Sequence, residues 1–124
     1  MAELNILEAI RLAMDEEMER DPNVMVLGED VGKKGGVFGA TDGLWAKYGG
    51  KRVLDTPLTE GMIAGAAAGA ALYGLPPIAE MQFADFVYPA FNQIVSEISR
   101  IHYRSNGTFR VPMVIRMPYG GGVH

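Results

Sequence analysis

The chain has 124 residues, 48% of them hydrophobic, and a formal net charge of −4. This length and composition fit one folded domain, or part of one, and exclude a disordered tail. Because the chain contains no cysteine, disulfides, thiolate metal sites and a cysteine nucleophile are also excluded.

The remaining composition argues against several other classes of protein. Basic residues cluster only at Lys33-Lys34 and Lys51-Arg52, which is too little for a nucleic-acid-binding surface. With two histidines and no cysteine, we expect no metal site. The uncharged stretch 61–79 is mostly Ala and Gly and is interrupted by Pro76-Pro77, so we expect no membrane span. The N-terminus lacks a signal-peptide pattern, and a cytoplasmic location is the simplest expectation.

The first predicted element is a helix that Asn5 caps, with Glu8 placed three residues later as in a capping box. It ends at Asp21-Pro22-Asn23. Its apolar residues recur at helical spacing: Ile6, Ile10, Ala13, Met14 and Met18. A short apolar strand follows at 24–27, then a glycine-rich loop at 32–39 and a short helix at 41–48.

The second half continues the alternation of strands and helices. The predicted elements are a strand at 52–55, a helix at 61–73, a strand at 78–83, a long helix at 88–103 and a strand at 111–117. Such alternation predicts an α/β fold with a mainly parallel sheet and flanking helices. Ligands of these sheets bind beyond the carboxyl ends of the strands, which directs attention to 28–30, 56–60, 82–86 and 118–122.

Acidic residues stand at two of these strand ends. Glu29 and Asp30 are more simply interpreted as solvated loop acids, and the glycines that follow match neither a P-loop nor a dinucleotide fingerprint. Glu60 opens a predicted helix. One interpretation is that it is simply a first-turn acid that interacts with the helix dipole, with Thr59 as the cap. At the carboxyl end of a strand, its carboxylate could instead bind a heterocycle.

Two further features have alternative explanations. Gly61, Gly65 and Gly69 form a smooth strip on one helix face, which indicates close packing either within the subunit or across a subunit boundary. An aromatic group follows the third strand. Core packing is the default interpretation of these residues, and the wall of a cofactor pocket is the alternative. The group comprises Phe83, Phe86, Tyr88 and Phe91. His102 is expected to be structural, and His124 is terminal.

Several short motifs occur in a specific order and spacing. They are 27–32 (LGEDVG), 35–38 (GGVF), 55–60 (DTPLTE), 80–86 (EMQFADF), 103–105 (YRS), 116–118 (RMP) and 120–122 (GGG). Together they resemble the β subunits of pyruvate and branched-chain 2-oxo acid dehydrogenases, over the whole chain. The resemblance implies a transketolase-like pyrimidine-binding domain, with residues 1–124 as its N-terminal portion.

The resemblance also implies a cofactor site for thiamine diphosphate. The Glu that matches Glu60 hydrogen-bonds a ring nitrogen of the aminopyrimidine and thereby activates the cofactor for decarboxylation. The position of Leu58 offers a backbone carbonyl to the exocyclic amine, and the positions of Gln82 and Phe86 line the same pocket. Position 86 is Tyr in some relatives. Phe86 has no hydroxyl group, so the polar contact of that Tyr is absent here.

The expected partners follow from the same resemblance. They are an α subunit in an α2β2 assembly, a second β subunit, and the lipoyl-bearing acyltransferase that receives the acyl group. Magnesium and the diphosphate are expected on the α subunit. Family β subunits are much longer, so we expect this chain to be a fragment that is inactive alone. Two alternatives stay open, namely an acetoin dehydrogenase β subunit and a non-catalytic interaction module of the same fold.

Overall fold

A four-stranded, all-parallel sheet forms the centre of the computed structural model, which describes residues 3–120. The strands are β1 Met25–Gly28, β2 Val53–Asp55, β3 Pro77–Glu80 and β4 Val114–Arg116, in the order β2-β1-β3-β4. The helices are α1 Ile6–Arg20, α2 Leu44–Tyr48, α3 Glu60–Leu72 and α4 Ile101–Arg104. The predicted α/β class with a parallel sheet and flanking helices is confirmed.

Strand β1 lies inside the sheet and contributes to the core on both of its faces. Successive side chains of a strand point to opposite faces. Val26 therefore packs with Met14 and Met18 of α1, whereas Leu27 packs with Ile63 of α3. Burial on both faces explains why this strand is uniformly apolar in sequence.

Local signals at both ends of the helices agree with the sequence prediction. Asn5 and Glu8 form the reciprocal capping box at the start of α1. Helix α3 ends before Gly74, whose φ of 90° lies in the left-handed region that glycine adopts readily. The strands are shorter than predicted at several ends.

None of the helices found between residues 3 and 120 has the length and apolarity that crossing a membrane requires.

The single long helix predicted at 88–103 is wrong. The structure instead has a 3-10 helix, Ala84–Ala90, a π-helical segment, Gln93–Ile98, and the short α4. Pro89 lacks a backbone N–H and lies within the first of these segments. The Ser99 N–H donates to the carbonyl of Ile94, five residues back, which widens the helix locally. The chain thus stays helical along most of 84–104, while its hydrogen-bond pattern changes from 3-10 to π-helical to α-helical.

Candidate functional site

Strands β2 and β3 lead, at the carboxyl edge of the sheet, into the segments that carry the predicted site residues. Leu58 and Glu60 follow β2, and Gln82 and Phe86 follow β3. Glycine is required at the end of β1, because a Cβ on Gly28 would lie 2.5 Å from the carbonyl oxygen of Glu80. Gly28 and Glu80 are register partners at the ends of β1 and β3, and the candidate site lies beyond these strand ends.

Glu60 is the first residue of α3 and is only 7% exposed. Thr59 is the N-cap residue of α3, as expected, but its side chain makes no capping hydrogen bond. Among residues 3–120, no side chain or backbone N–H donates a hydrogen bond to the Glu60 carboxylate. A buried carboxylate at a helix N-terminus is favoured by the helix dipole, and it retains acceptor capacity for a ligand.

Glu29 is buried beside Glu60, and its interpretation as a solvated loop acid is wrong. Burial raises the pKa of the Glu29 carboxyl, and the nearby charges of Glu60 and Asp30 raise it further. Its Oε1 has no hydrogen-bond partner within the described part of the chain. Glu29 directly follows a strand that is apolar on both faces, but the neighbouring Asp30 stays half exposed, so the sequence did not distinguish the two acids.

The other three predicted residues lie in the segments that follow β2 and β3. Leu58 is 75% exposed, and Phe86 is also exposed, so both present apolar surface outward. The Nε2 of Gln82 donates to Asp30 Oδ2 at 3.3 Å, which links the segments that follow β3 and β1. A Cβ on Gly61 would lie 3.1 Å from the Pro89 carbonyl, so the start of α3 packs on the 3-10 helix that carries Phe86.

The aromatic group is only partly in the core. Phe83 packs edge-to-face on Phe86, with ring centroids 5.7 Å apart, and also on Phe38, with centroids 6.1 Å apart. Tyr88 and Phe91 are exposed, so the default expectation of core packing is wrong for them and for Phe86. His102 is exposed as well, and its Nδ1 lies 2.9 Å from the Phe109 carbonyl oxygen, in keeping with a structural role.

A buried ion pair that sequence reasoning missed lies below the site. Glu80 ends β3, Arg116 ends β4, and the register places the two residues side by side. Glu80 has no exposed surface, and its Oε2 lies 2.6 Å from Arg116 Nη1. Burial raises the pKa of Glu80, and the Arg116 charge opposes that rise. No local pattern could have indicated the pair, because only the β3–β4 register brings the two residues together.

The loop 32–39 is held against this edge by polar contacts. The Gly32 N–H donates to Asp55 Oδ1 at 2.6 Å, which ties the loop to the end of β2. Buried Thr41 donates its hydroxyl to the Val31 carbonyl at 2.7 Å. Asp30 pairs with Lys34 and keeps its side chain half exposed, as expected for a loop acid. The loop is thus fixed to the end of β2 and to the segment that follows β1.

The chemistry of this edge fits a heterocycle that donates hydrogen bonds. Glu60 supplies an acceptor, and both Glu29 Oε1 and Thr56 Oγ1 are buried polar atoms without a partner among the described residues. Such orphaned groups are rare in folded proteins and mark places where a ligand can bind. Between residues 3 and 120 the structure holds no cluster of His, Asp and Glu suited to a metal ion.

Gly121 and Gly122 of the last predicted motif and the terminal His124 lie outside the described residues.

Residues 2–124 match the family described as the transketolase pyrimidine-binding domain. The β subunit of 2-oxoisovalerate dehydrogenase from Bacillus subtilis is 62% identical over all of this chain and 38% of its own length. The corresponding subunit from Pseudomonas aeruginosa is 54% identical, over 98% of this chain and 35% of its own length. The pyruvate dehydrogenase E1 β subunit of Acholeplasma laidlawii is 50% identical, over 99% of this chain and 38% of its own length. The chain therefore spans little more than a third of these relatives.

Proposed function

Because the chain belongs to the transketolase pyrimidine-binding domain family, we propose that it binds the aminopyrimidine of thiamine diphosphate within the β subunit of a 2-oxo acid dehydrogenase. The proposal includes the reaction class, namely oxidative decarboxylation with transfer of the acyl group to a lipoyl arm. The domain boundaries and the site residues are part of the same proposal, as is a cytoplasmic location.

One observation carries the proposal. Glu60 is a buried carboxylate with no donor from the described chain, at the carboxyl edge of a parallel sheet, beside a second buried acid, Glu29. The Oε1 of Glu29 is buried without a hydrogen-bond partner among the described residues, and such an atom is costly unless a ligand satisfies it. A protonated nitrogen of a heterocycle supplies the donor that Glu60 lacks.

Each site residue has a distinct proposed role. Glu60 accepts a hydrogen bond at a ring nitrogen and keeps a proton at that atom. Leu58 offers its backbone carbonyl to the exocyclic amine. Gln82, which Asp30 orients, and Phe86 form the side of the pocket. When bound, thiamine diphosphate supplies a nucleophilic carbon and an electron sink for decarboxylation.

We propose a branched-chain 2-oxo acid as the substrate. The support is the 62% identity with the 2-oxoisovalerate dehydrogenase subunit, compared with 50% for the pyruvate dehydrogenase subunit named above. Pyruvate is the second candidate. Acetoin is not favoured, because the relatives named above are 2-oxoisovalerate and pyruvate dehydrogenases.

The proposed partners are an α subunit, which holds magnesium and the diphosphate, a second β subunit in an α2β2 assembly, and the lipoyl-bearing acyltransferase. Exposed Leu58 and Phe86 supply apolar surface at the edge where an α subunit would complete the site. The open face of α3 around Gly65 and Gly69 is the candidate β–β contact, because a Cβ on either glycine would meet nothing within 4 Å.

The test is Glu60→Gln in the holoenzyme formed by the α subunit and the full-length β subunit that carries this chain. We expect folding and assembly to survive, while proton exchange at the thiazolium carbon and decarboxylation fall about 10²- to 10⁴-fold. Proton exchange is followed by NMR and decarboxylation by release of carbon dioxide from 2-oxoisovalerate and from pyruvate.

The matched control is Glu16→Gln, which makes the same chemical change at an exposed position of α1. It should leave both rates near those of the wild type. If a well-folded Glu60→Gln holoenzyme exchanged the proton at nearly the normal rate, Glu60 would be only a helix-terminal acid and the proposed role would be wrong.

A further inference from the structure

The backbone at Phe38 has a conformation that is unusual for an aromatic residue. Its φ of 56° and ψ of 18° lie in the left-handed region, where a side chain is strained. Gly36 and Gly39 on either side also have positive φ, and glycine adopts that region at little cost. A glycine at position 38 would therefore satisfy the loop, so the Phe38 ring itself needs an explanation.

The surrounding contacts hold Phe38 in this conformation. The Ala40 N–H donates to the Val37 carbonyl at 3.2 Å, and Arg11 of α1 donates to the Gly39 carbonyl at 3.3 Å. The first bond closes the turn that contains Phe38, and the second fixes the residue that follows it to α1. Burial does not account for the ring, because Phe38 is 55% exposed.

The ring of Phe38 begins a line of aromatic contacts that ends at the proposed cofactor site. It meets Phe83 at 6.1 Å between centroids with the planes at 89°. Phe83 meets Phe86 at 5.7 Å and 84°. Both contacts have the edge-to-face geometry and spacing that aromatic pairs prefer. Phe83 thus contacts an aromatic ring on each side, Phe38 on one and Phe86 on the other.

We propose that Phe38 is a positioning residue, which acts through Phe83 to hold Phe86 against bound thiamine diphosphate. This inference rests on the proposed function, in which Phe86 lines the pyrimidine pocket. The backbone strain at Phe38 is tolerated because its ring fixes the positions of the Phe83 and Phe86 rings. Phe38 itself does not touch the cofactor.

The experiment measures cofactor affinity in the holoenzyme of the α subunit and the full-length β subunit that carries this chain. Phe38→Gly removes the ring and relieves the backbone. We expect the thermal midpoint to be kept and the Kd for thiamine diphosphate to rise about two- to tenfold, the range that corresponds to one aromatic pair. Phe38→Tyr keeps the ring and should bind the cofactor as the wild type does.

A double-mutant cycle separates positioning from a general structural role. If Phe38 acts through Phe86, the effect of Phe38→Gly on Kd should nearly vanish in a Phe86→Ala background. An equal loss in both backgrounds would overturn the proposal, and so would an unchanged Kd in the single variant. Should Phe38→Gly fail to fold, Phe38→Leu takes its place in the same cycle, because it removes the ring but keeps apolar bulk.

The control is Phe109→Ala, which removes a ring of nearly equal exposure, 54%, elsewhere on the surface. A similar loss of affinity in this control would show that the Phe38 effect is unspecific, and the proposal would fail. The proposed function is tested separately. If the wild-type holoenzyme bound no thiamine diphosphate, the proposed function would fail, whereas normal binding by both wild type and Phe38 variants would reject only the role of Phe38.

Discussion

Arg116 Nη1 lies 2.6 Å from Glu80 Oε2, at the point where the last residues of two parallel strands are register partners. Glu80 is fully buried and depends on Arg116 for its charge partner. Removing one member of such a pair leaves an uncompensated charge in the interior. The pair therefore links the stability of β4 to the edge of the sheet that carries the candidate site.

We predict that Arg116→Met lowers the free energy of unfolding of the β subunit by about 3–5 kcal/mol, because Glu80 would stay buried without its partner. Denaturant unfolding measures the change. Adding Glu80→Met to the variant should recover most of the loss, since two apolar side chains of similar size replace the pair.

The control for this pair is Arg104→Met, which breaks the exposed pair between Arg104 and Glu97. An exposed pair contributes at most about 1 kcal/mol, so the control should change stability little. If Arg116→Met cost no more than the control, the buried pair would have no special part in stability.

Glu29→Gln should make the β subunit without cofactor relatively more stable at neutral pH. The folded-state pKa of Glu29 is raised above its ordinary value of 4.5. The stabilising contribution of the neutral carboxyl is thus fully present below that value and is lost as pH rises through the folded-state pKa. Gln cannot ionise, so the variant avoids this loss.

Urea unfolding at about pH 4 and about pH 7 checks the sign, because the gain of the variant over the wild type should increase with pH. Glu16→Gln on the exposed face of α1 is the control, and surface substitutions of this kind change stability by no more than about 0.5 kcal/mol. A gain that was larger at the acidic pH would contradict the raised pKa.

Gly65→Leu should impair assembly and leave the folding of the β subunit intact. A Cβ at Gly65 meets nothing within 4 Å, so the alternative of tight internal packing fails there, and Leu is the better helix former by roughly 0.8 kcal/mol. If this face contacts another subunit, the larger side chain should weaken that contact by about 1–3 kcal/mol.

Light scattering of mixed α and β subunits, together with thermal unfolding of β alone, measures the two effects of Gly65→Leu. Gly65→Ala is the graded control and should assemble more readily than the Leu variant. Normal assembly of Gly65→Leu would mean that this face of α3 is exposed in the complex.

The purified 124-residue chain should show no decarboxylation of pyruvate or 2-oxoisovalerate with thiamine diphosphate and magnesium. The chain spans 38% of the length of the Bacillus subtilis relative, and the proposed diphosphate site lies on the α subunit. Carbon dioxide release should stay at background, whereas the full holoenzyme assayed in parallel should turn over. Turnover by the chain alone would overturn the division of the site between subunits.

The sequence alone was sufficient for the features that local physics controls. The capping box of Asn5 and Glu8 sets the start of α1, and the apolar run of β1 indicates a strand that is buried on both faces. The alternation of strands and helices was sufficient to predict the parallel sheet, because parallel neighbouring strands require crossover connections. The candidate edge of the sheet followed from that topology.

Only the tertiary structure decided how side chains from distant segments meet. Whether Glu29 is solvated depends on the segments that cover the end of β1, and the partner of Glu80 depends on the β3–β4 register. The long helix expected at 88–103 changes its hydrogen-bond spacing where it packs on α3, so periodicity was an incomplete guide. Burial, charge pairing and strain such as that at Phe38 are set by contacts between segments far apart in the chain, which local sequence patterns do not specify.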